Sequence, residues 1–281
     1  MSGSGGGAPQ ENRFVLDRTE SFTMRGHATG DDYRLDLALP EGEPPAEGWP
    51  VLYLLDSTGS FGTCVEALRR MGRRPDATGV RPMAVAGISA SNGYDTARRQ
   101  RDYTTIPTDR EVEPGANGGA AIFLDFIENE VRPEVAGRLP LDTSRQTLCG
   151  HSLAGFFTLW ALTARPAAFR NYAAISPSIW WDKTALMDGL ARLSPRSNRV
   201  FMTVGEWEDA LPPWQLASPG SDTVIARRAA RRMVEGAAQV AQSLETSLGP
   251  GSVDFSILPE EDHASIISTA IPRILRFTSL A

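Results

Sequence analysis

Thr147-Leu148-Cys149-Gly150-His151-Ser152-Leu153-Ala154-Gly155-Phe156-Phe157 is the stretch whose reading decides the fold. Its first three residues end a short apolar run. Its last two open an apolar helix that continues through Leu159 and Trp160. Between them, Gly150 to Gly155 have the composition of a sharp strand-to-helix turn. Such a turn lifts a serine hydroxyl above the C-terminal edge of a sheet, where a substrate can reach it. Small residues are needed beside the serine because the strand and helix backbones pass close together. The strict pattern is Gly-x-Ser-x-Gly; here Ala154 takes the fifth place and Gly155 follows. Serine is also a favoured helix N-cap, and a cap on helix 153–164 is compatible with a nucleophile at Ser152.

Strands and helices alternate outward from this turn. Downstream, the pattern predicts strand 171–175, helix 183–192, strand 199–204, a long helix over 223–247, strand 253–258 and a last helix over 264–278. Upstream, it predicts strand 145–149 and a helix from about 119 carrying Phe123, Phe126, Ile127 and Val131. Before these come buried strands at 50–56 and 82–88, and a helix at 60–71 between them. Two earlier strand-like runs, 20–27 and 33–39, have no helix between them. The expectation is an α/β protein of the α/β-hydrolase class. Its central sheet is mostly parallel, with an antiparallel N-terminal edge and helices on both faces. The polar segment 90–118 has little periodicity, and a segment of that length is usually functional or without regular structure.

The chain has 281 residues, 41% of them hydrophobic, enough for one large core. The reading is a single domain over 13–281 preceded by a flexible tail or linker over 1–12. The formal net charge of −6 offers no basic footprint for nucleic acid. No run of about 18 apolar residues predicts a membrane span. Cys64 and Cys149 are too few for a disulfide framework or a zinc site. Met1 to Gly7 lacks the apolar region of a signal peptide. The compartment is therefore open: cytoplasmic as the sequence stands, periplasmic if a leader once preceded it. Arg227, Arg228, Arg231 and Arg232 make a basic stretch on the 223–247 helix and read as a solvated face.

A serine hydroxyl needs a base, and histidine suits neutral pH. There are three histidines. His27 lies at the N-terminal edge, far from the expected active rim. His151 adjoins the nucleophile, with its side chain expected to point away from the hydroxyl. His263 follows the final strand and precedes the final helix, where the base of this architecture belongs, and the order Ser…acid…His fits. The acid is expected in the loop after strand 199–204, which reads Gly205-Glu206-Trp207-Glu208-Asp209. The position three residues after the glycine selects Glu208, with Asp209, Glu206 or no essential carboxylate as alternatives. An oxyanion hole needs backbone N–H donors. One is expected from Leu153, the other from Ser57 in the loop Asp56-Ser57-Thr58-Gly59.

Five stretches, the Gly150 turn among them, occur in order. They are Leu54-Leu55-Asp56, Arg101-Asp102-Tyr103-Thr104, Gly118-Gly119-Ala120 before a Phe-Leu helix, Gly150-His151-Ser152-Leu153, and Ser176-Pro177-Ser178-Ile179-Trp180-Trp181. Together they resemble the putative-esterase family of α/β-hydrolases over roughly residues 20–278. Within it, the pattern is most similar to bacterial siderophore esterases, which hydrolyse catecholate trilactones such as enterobactin, salmochelin or bacillibactin. The resemblance implies a Ser152–His263 pair and a substrate-facing arginine, carried to Arg101. Relatives often have glycine where this chain has Ala154 and Ser57.

Catecholates and their ferric complexes are anionic and aromatic. An arginine can answer the charge, and Tyr103, Trp180 and Trp181 can supply flat contact. Either tryptophan can equally be core. No metal or organic cofactor is implied; iron would arrive with the ligand. The expected partner is thus a small-molecule ester. Within enzymes the alternative is a general carboxylesterase, thioesterase or feruloyl-type esterase. From another class it is a hydrolase-like binding protein without turnover.

Overall fold

The computed structural model describes residues 15–108 and 116–280. The expected tail over 1–12 lies outside the described residues. The strands are β1 Thr19–Arg25, β2 Asp32–Ala38, β3 Trp49–Leu55, β4 Ala84–Ala90, β5 Leu141–His151, β6 Asn171–Ile175, β7 Arg199–Gly205 and β8 Val253–Leu258. They form one sheet in the order β1-β2-β4-β3-β5-β6-β7-β8. β1, β2 and β4 pair antiparallel; every pair from β4 through β8 is parallel. The antiparallel edge and parallel centre are those the pattern of helices between strands dictates.

Between and after the strands lie α1 Phe61–Gly72, α2 Pro75–Thr78, α3 Thr96–Asp102, α4 Ala120–Phe126, α5 Arg132–Ala136, α6 Leu153–Ala164, α7 Lys183–Ala191, α8 Ser221–Arg231, α9 Met233–Leu248 and α10 Ile266–Leu280. The period-2 alternation of a strand sends its side chains to opposite faces. In β3, Val51, Tyr53 and Leu55 enter one core while Leu52 and Leu54 enter the other. The first core is closed by Phe123 and Phe126 of α4, Phe156 and Phe157 of α6, Leu186 of α7 and Leu244 of α9. The second is closed by Cys64 and Leu68 of α1 and Ile271, Ile274 and Leu275 of α10. Each such buried side chain contributes roughly 1.5–3 kcal/mol.

Three local features differ from the sequence expectation. The expected 223–247 helix is two helices, broken at Arg232, whose φ of 45° is left-handed. The 90–118 segment contains α3, capped by the Asp95 carboxylate, which accepts from the Arg98 N–H at 2.9 Å. Between α4 and α5, Ile127–Val131 winds as a π-helix just before Pro133. A wider turn there suits a proline that has no N–H to give. Among the described residues, no helix is long and apolar enough to cross a membrane.

The order of strands reverses at β3 and β5: β4 lies to one side of this pair and β6 to the other. Open α/β sheets bind ligands outside the C-terminal ends of the strands at such a switch point. Non-glycine residues with positive φ gather at this rim. Asp56 (54°) follows β3, Ser152 (61°) follows β5, Ser176 (43°) follows β6 and Glu260 (59°) comes soon after β8. Backbone strain of this kind persists where the surrounding structure holds it, and it clusters at functional sites.

Candidate active site

One of these turns is at Ser152 (φ 61°, ψ −119°). Its N–H donates to Ile175 O of β6 at 3.0 Å, and its C=O accepts from Phe156 N at 2.9 Å. Gly150 makes the turn possible: a Cβ there would lie 2.2 Å from the Ala154 carbonyl oxygen. A Cβ on Gly155 would lie 3.0 Å from Ile175 O and from Pro177 Cα. The close approach therefore falls at Gly155 as well as at Gly150, and Ala154 is accommodated, fully buried, in between.

The Ser152 hydroxyl lies 2.9 Å from His263 Nε2, and His263 Nδ1 lies 2.7 Å from a Glu208 carboxylate oxygen. Glu208 is buried, at 4% exposure. Its other oxygen accepts from the Gly205 N–H at 3.0 Å and from the Ser176 hydroxyl. One carboxylate oxygen is thus fixed by Gly205 and Ser176, which leaves the other turned to the imidazole. The loops carrying Glu208 and His263 are locked together. A Cβ on Gly205 would lie 2.3 Å from Glu261 O, and Trp207 N–H donates to that same oxygen at 3.0 Å. Asp262 closes the turn that leads into α10, accepting from Ala264 N at 2.7 Å and Ser265 N at 2.9 Å. The Ser265 N–H is the main reason its carboxyl is held below the ordinary range.

The other two carboxylates of that loop have different work. A Glu206 oxygen accepts from Glu260 N at 2.9 Å. Asp209 accepts from Val234 N at 3.1 Å and Glu235 N at 3.4 Å, capping α9. Neither Glu206 nor Asp209 makes the His263 contact that Glu208 makes. His151 lines the cleft with its ring centroid 4.6 Å from that of His263. Burial, and next the neighbouring His263, push its pKa down to about 3, so it stays neutral beside His263. His27 lies in the turn after β1, where its backbone N–H donates to Glu130 at 2.8 Å.

A cavity of about 380 Å³ opens above Ser152 and His263. Its walls include Asp56, Thr58, Gly59, Tyr94, Arg99 and Ile267. Arg99 supplies the positive charge. It donates to Asp56 at 2.7 Å and to the Tyr94 hydroxyl at 2.7 Å, and its guanidinium stands 4.7 Å above the Tyr94 ring. Burial pushes the Asp56 carboxyl up, opposed by Arg99 and by the Tyr103 hydroxyl, which donates to it at 3.0 Å.

The structure places several expected residues elsewhere. Arg101 does not reach this cavity. It pairs with Asp31 at 2.6 Å and Asp102 at 2.7 Å and lines a separate surface hollow. The two arginines are two positions apart on α3, and the helix turns Arg99, not Arg101, toward Ser152. Tyr103 is buried, at 4% exposure, and acts behind Asp56. Trp181 is buried and donates from its indole N–H to Thr105 O at 3.1 Å, so it anchors a loop. Trp180 is half-buried, with the Arg231 guanidinium 4.3 Å above its ring.

Leu153 is the first residue of α6 and Ser57 the first of a 3₁₀ turn Ser57–Gly59. N–H groups at such starts have no partner within their own helix. Thr58 N–H, by contrast, donates to Ser89 Oγ at 3.1 Å. The Ser57 side chain points inward, 2.9 Å from Ser89 Oγ and donating to Asp36 at 3.2 Å, which fixes the loop from below. Two serines had no signal in the sequence beyond the family motif. Ser176 holds Glu208, and Ser178 Oγ stands 3.3 Å from Ser152 Oγ.

The putative-esterase family profile matches residues 26–245. The chain belongs to that family. It is 33% identical over 286 aligned positions to the ferri-bacillibactin esterase BesA of Bacillus subtilis (strain 168), covering 95% of this chain and 91% of that protein. It is 31% identical to the siderophore triacetylfusarinine C esterase of Aspergillus fumigatus, covering 92% of each. The solved structure of the siderophore hydrolase EstB from Aspergillus nidulans superposes with a TM-score of 0.83 at 26% identity, covering 97% of both chains. As a member of the putative-esterase family the chain is a serine hydrolase acting on carboxylic esters, with siderophore esterases among its relatives. The α/β-hydrolase architecture expected from the Gly150–Gly155 turn is the one these neighbours share.

Proposed function

We propose that this protein hydrolyses the ester bonds of a catecholate trilactone siderophore through an acyl-enzyme on Ser152. The observation that carries the reading is the Ser152–His263–Glu208 hydrogen-bonded chain opening into a cavity whose wall holds Arg99. His263 Nε2 takes the hydroxyl proton as Ser152 Oγ attacks the ester carbonyl. Glu208 holds the Nδ1 proton and stabilises the imidazolium as it forms. The N–H groups of Leu153 and Ser57 receive the oxyanion. The alcohol of the opened lactone leaves with the proton from His263. Water, deprotonated by the same imidazole, then releases the acyl group and frees Ser152. Arg99 attracts the anionic catecholate toward the scissile ester. The relatives' substrates support a siderophore ester, and the Arg99 guanidinium in the cavity wall, paired with Asp56 through Nε, offers N–H donors to an anionic one.

The test is a side-by-side assay on a catecholate trilactone, a hydroxamate-type siderophore ester and a simple aryl ester, with release of linear products followed chromatographically. Preferential cleavage of the trilactone is expected. Brisk aryl-ester cleavage with no action on the trilactone would favour a general carboxylesterase. Cleavage of the hydroxamate ester alone would replace the catecholate reading with a neutral siderophore. Binding without turnover would mark a hydrolase-like binding protein.

A further inference from the structure

α8 stands against the catalytic rim and presents guanidinium groups that, among the described residues, no carboxylate answers. Arg227 and Arg231 are exposed and one helical turn apart. Among the described residues, neither forms an ion pair, whereas the neighbouring Arg232 pairs with Glu235. Arg231 instead lies 4.3 Å over the Trp180 ring. Partial burial, and secondly repulsion from Arg227, hold its pKa below the ordinary arginine range. Two like charges left side by side on an otherwise acidic protein are a cost that a bound anion would relieve.

The position of this patch is set by hydrogen bonds on both sides of the catalytic chain. Trp180 comes two residues after Ser178, whose hydroxyl is 3.3 Å from Ser152 Oγ. On the other side, Arg228 donates to the carbonyl oxygen of Trp207 at 2.6 Å, and Trp207 immediately precedes Glu208. α8 therefore bridges the backbone segments that carry the nucleophile's neighbour and the acid.

We infer that Arg227, Arg231 and the Trp180 ring form a second subsite, which takes an anionic aromatic arm of the substrate adjacent to the arm being cleaved. This inference rests on the catecholate reading above and extends it to the next arm. A trilactone carries three identical arms on one ring, so when one ester sits at Ser152 its neighbours project along the rim. A ferric tris-catecholate carries three negative charges, and its rings are flat. A ferric tris-hydroxamate is neutral. Guanidinium groups paired with a tryptophan face discriminate in favour of the first by charge and by stacking.

The experiment uses the full chain and compares wild type with Arg227→Gln, Arg231→Gln, the double variant and Arg231→Lys. Glutamine is a good helix former, so α8 should persist; circular dichroism and the melting temperature check it. Three substrates are assayed: the ferric catecholate trilactone, a neutral ferric hydroxamate ester and p-nitrophenyl butyrate. The expected result for the double variant on the trilactone is a KM raised about tenfold or more, on the scale of two lost charge-assisted contacts, with kcat within about twofold. KM on the two neutral esters should not move. The wild-type KM for the trilactone should rise with salt, and that dependence should flatten in the double variant. Arg231→Lys should recover part of the loss. An unchanged trilactone KM in the double variant overturns the subsite, as does an equal loss on all three substrates. Wild type that fails to cut the trilactone overturns the catecholate reading itself, before any variant is compared.

Discussion

The two sides of the active rim are built differently. On the β5–β8 side, Ser152, Glu208 and His263 each occupy the loop directly after a strand, held by backbone rules: a glycine that permits close approach, a helix cap, a strained turn. On the β3–β4 side, Asp56, Arg99 and Tyr103 meet through a buried ion pair and a phenol whose partners are more than forty positions apart. In the proposed reading the first side performs bond chemistry, which needs fixed geometry and is encoded locally. The second, in the same reading, performs recognition, encoded in which of several charges finds which partner.

This contrast sets the order of expected effects. Ser152→Ala should abolish ester turnover while the protein still folds, measured by kcat and circular dichroism. Glu208→Gln should lower kcat on the order of 10³–10⁴-fold, the scale for losing the carboxylate that orients a catalytic imidazole. Next, Gly150→Ala should destabilise the fold by about 1–3 kcal/mol and reduce kcat, because its Cβ meets backbone that cannot yield; urea denaturation reads this. Arg99→Gln belongs to the recognition side. It should raise KM for an anionic ester more than for a neutral one, and it should leave Asp56 buried without its cation. A larger loss of kcat than of KM would move Arg99 to the chemical side and erase the contrast.

How legible each side is follows from the same distinction. Strands 171–175 and 253–258 coincide with β6 and β8, and Ser152 sits at the strand-to-helix turn read from Gly150–Gly155, because period and turn chemistry are local signals. The 145–149 run underestimates β5, which starts at Leu141, because Asp142, Thr143 and Ser144 break its apolar pattern. The break at Arg232 leaves no trace, since nothing in an arginine-rich stretch announces a left-handed residue. Arg99 and Arg101 cannot be told apart by spacing from the nucleophile. Asp56 takes one and Asp31 with Asp102 takes the other, a choice made by packing. The loop after β7 offered three carboxylates, and only their hydrogen bonds sort them. Asp95 three residues before Arg98 was a readable cap for α3 within the polar segment.

Two smaller effects sharpen the comparison. His151 has a pKa near 3 in the folded chain, below the ordinary histidine value of 6.5. Its neutral form is therefore favoured by folding. The stability it confers is complete above pH 6.5 and is lost as pH falls from there toward 3, by up to about 1.4 kcal/mol per pH unit. Urea midpoints measured across that range should slope less in His151→Asn. Asp209→Asn, altering only the cap of α9, should keep kcat within about twofold and cost roughly 1 kcal/mol or less. A drop in kcat matching that of Glu208→Gln would reassign the acid.

The central claim is an activated serine at Ser152, and covalent capture addresses it most directly. Intact-mass and peptide mass spectrometry after reaction with a phosphonate ester should give one adduct per chain, on the peptide containing Ser152, formed far more slowly in His263→Ala. Labelling of another residue, or undiminished labelling and turnover in Ser152→Ala, would contradict the account.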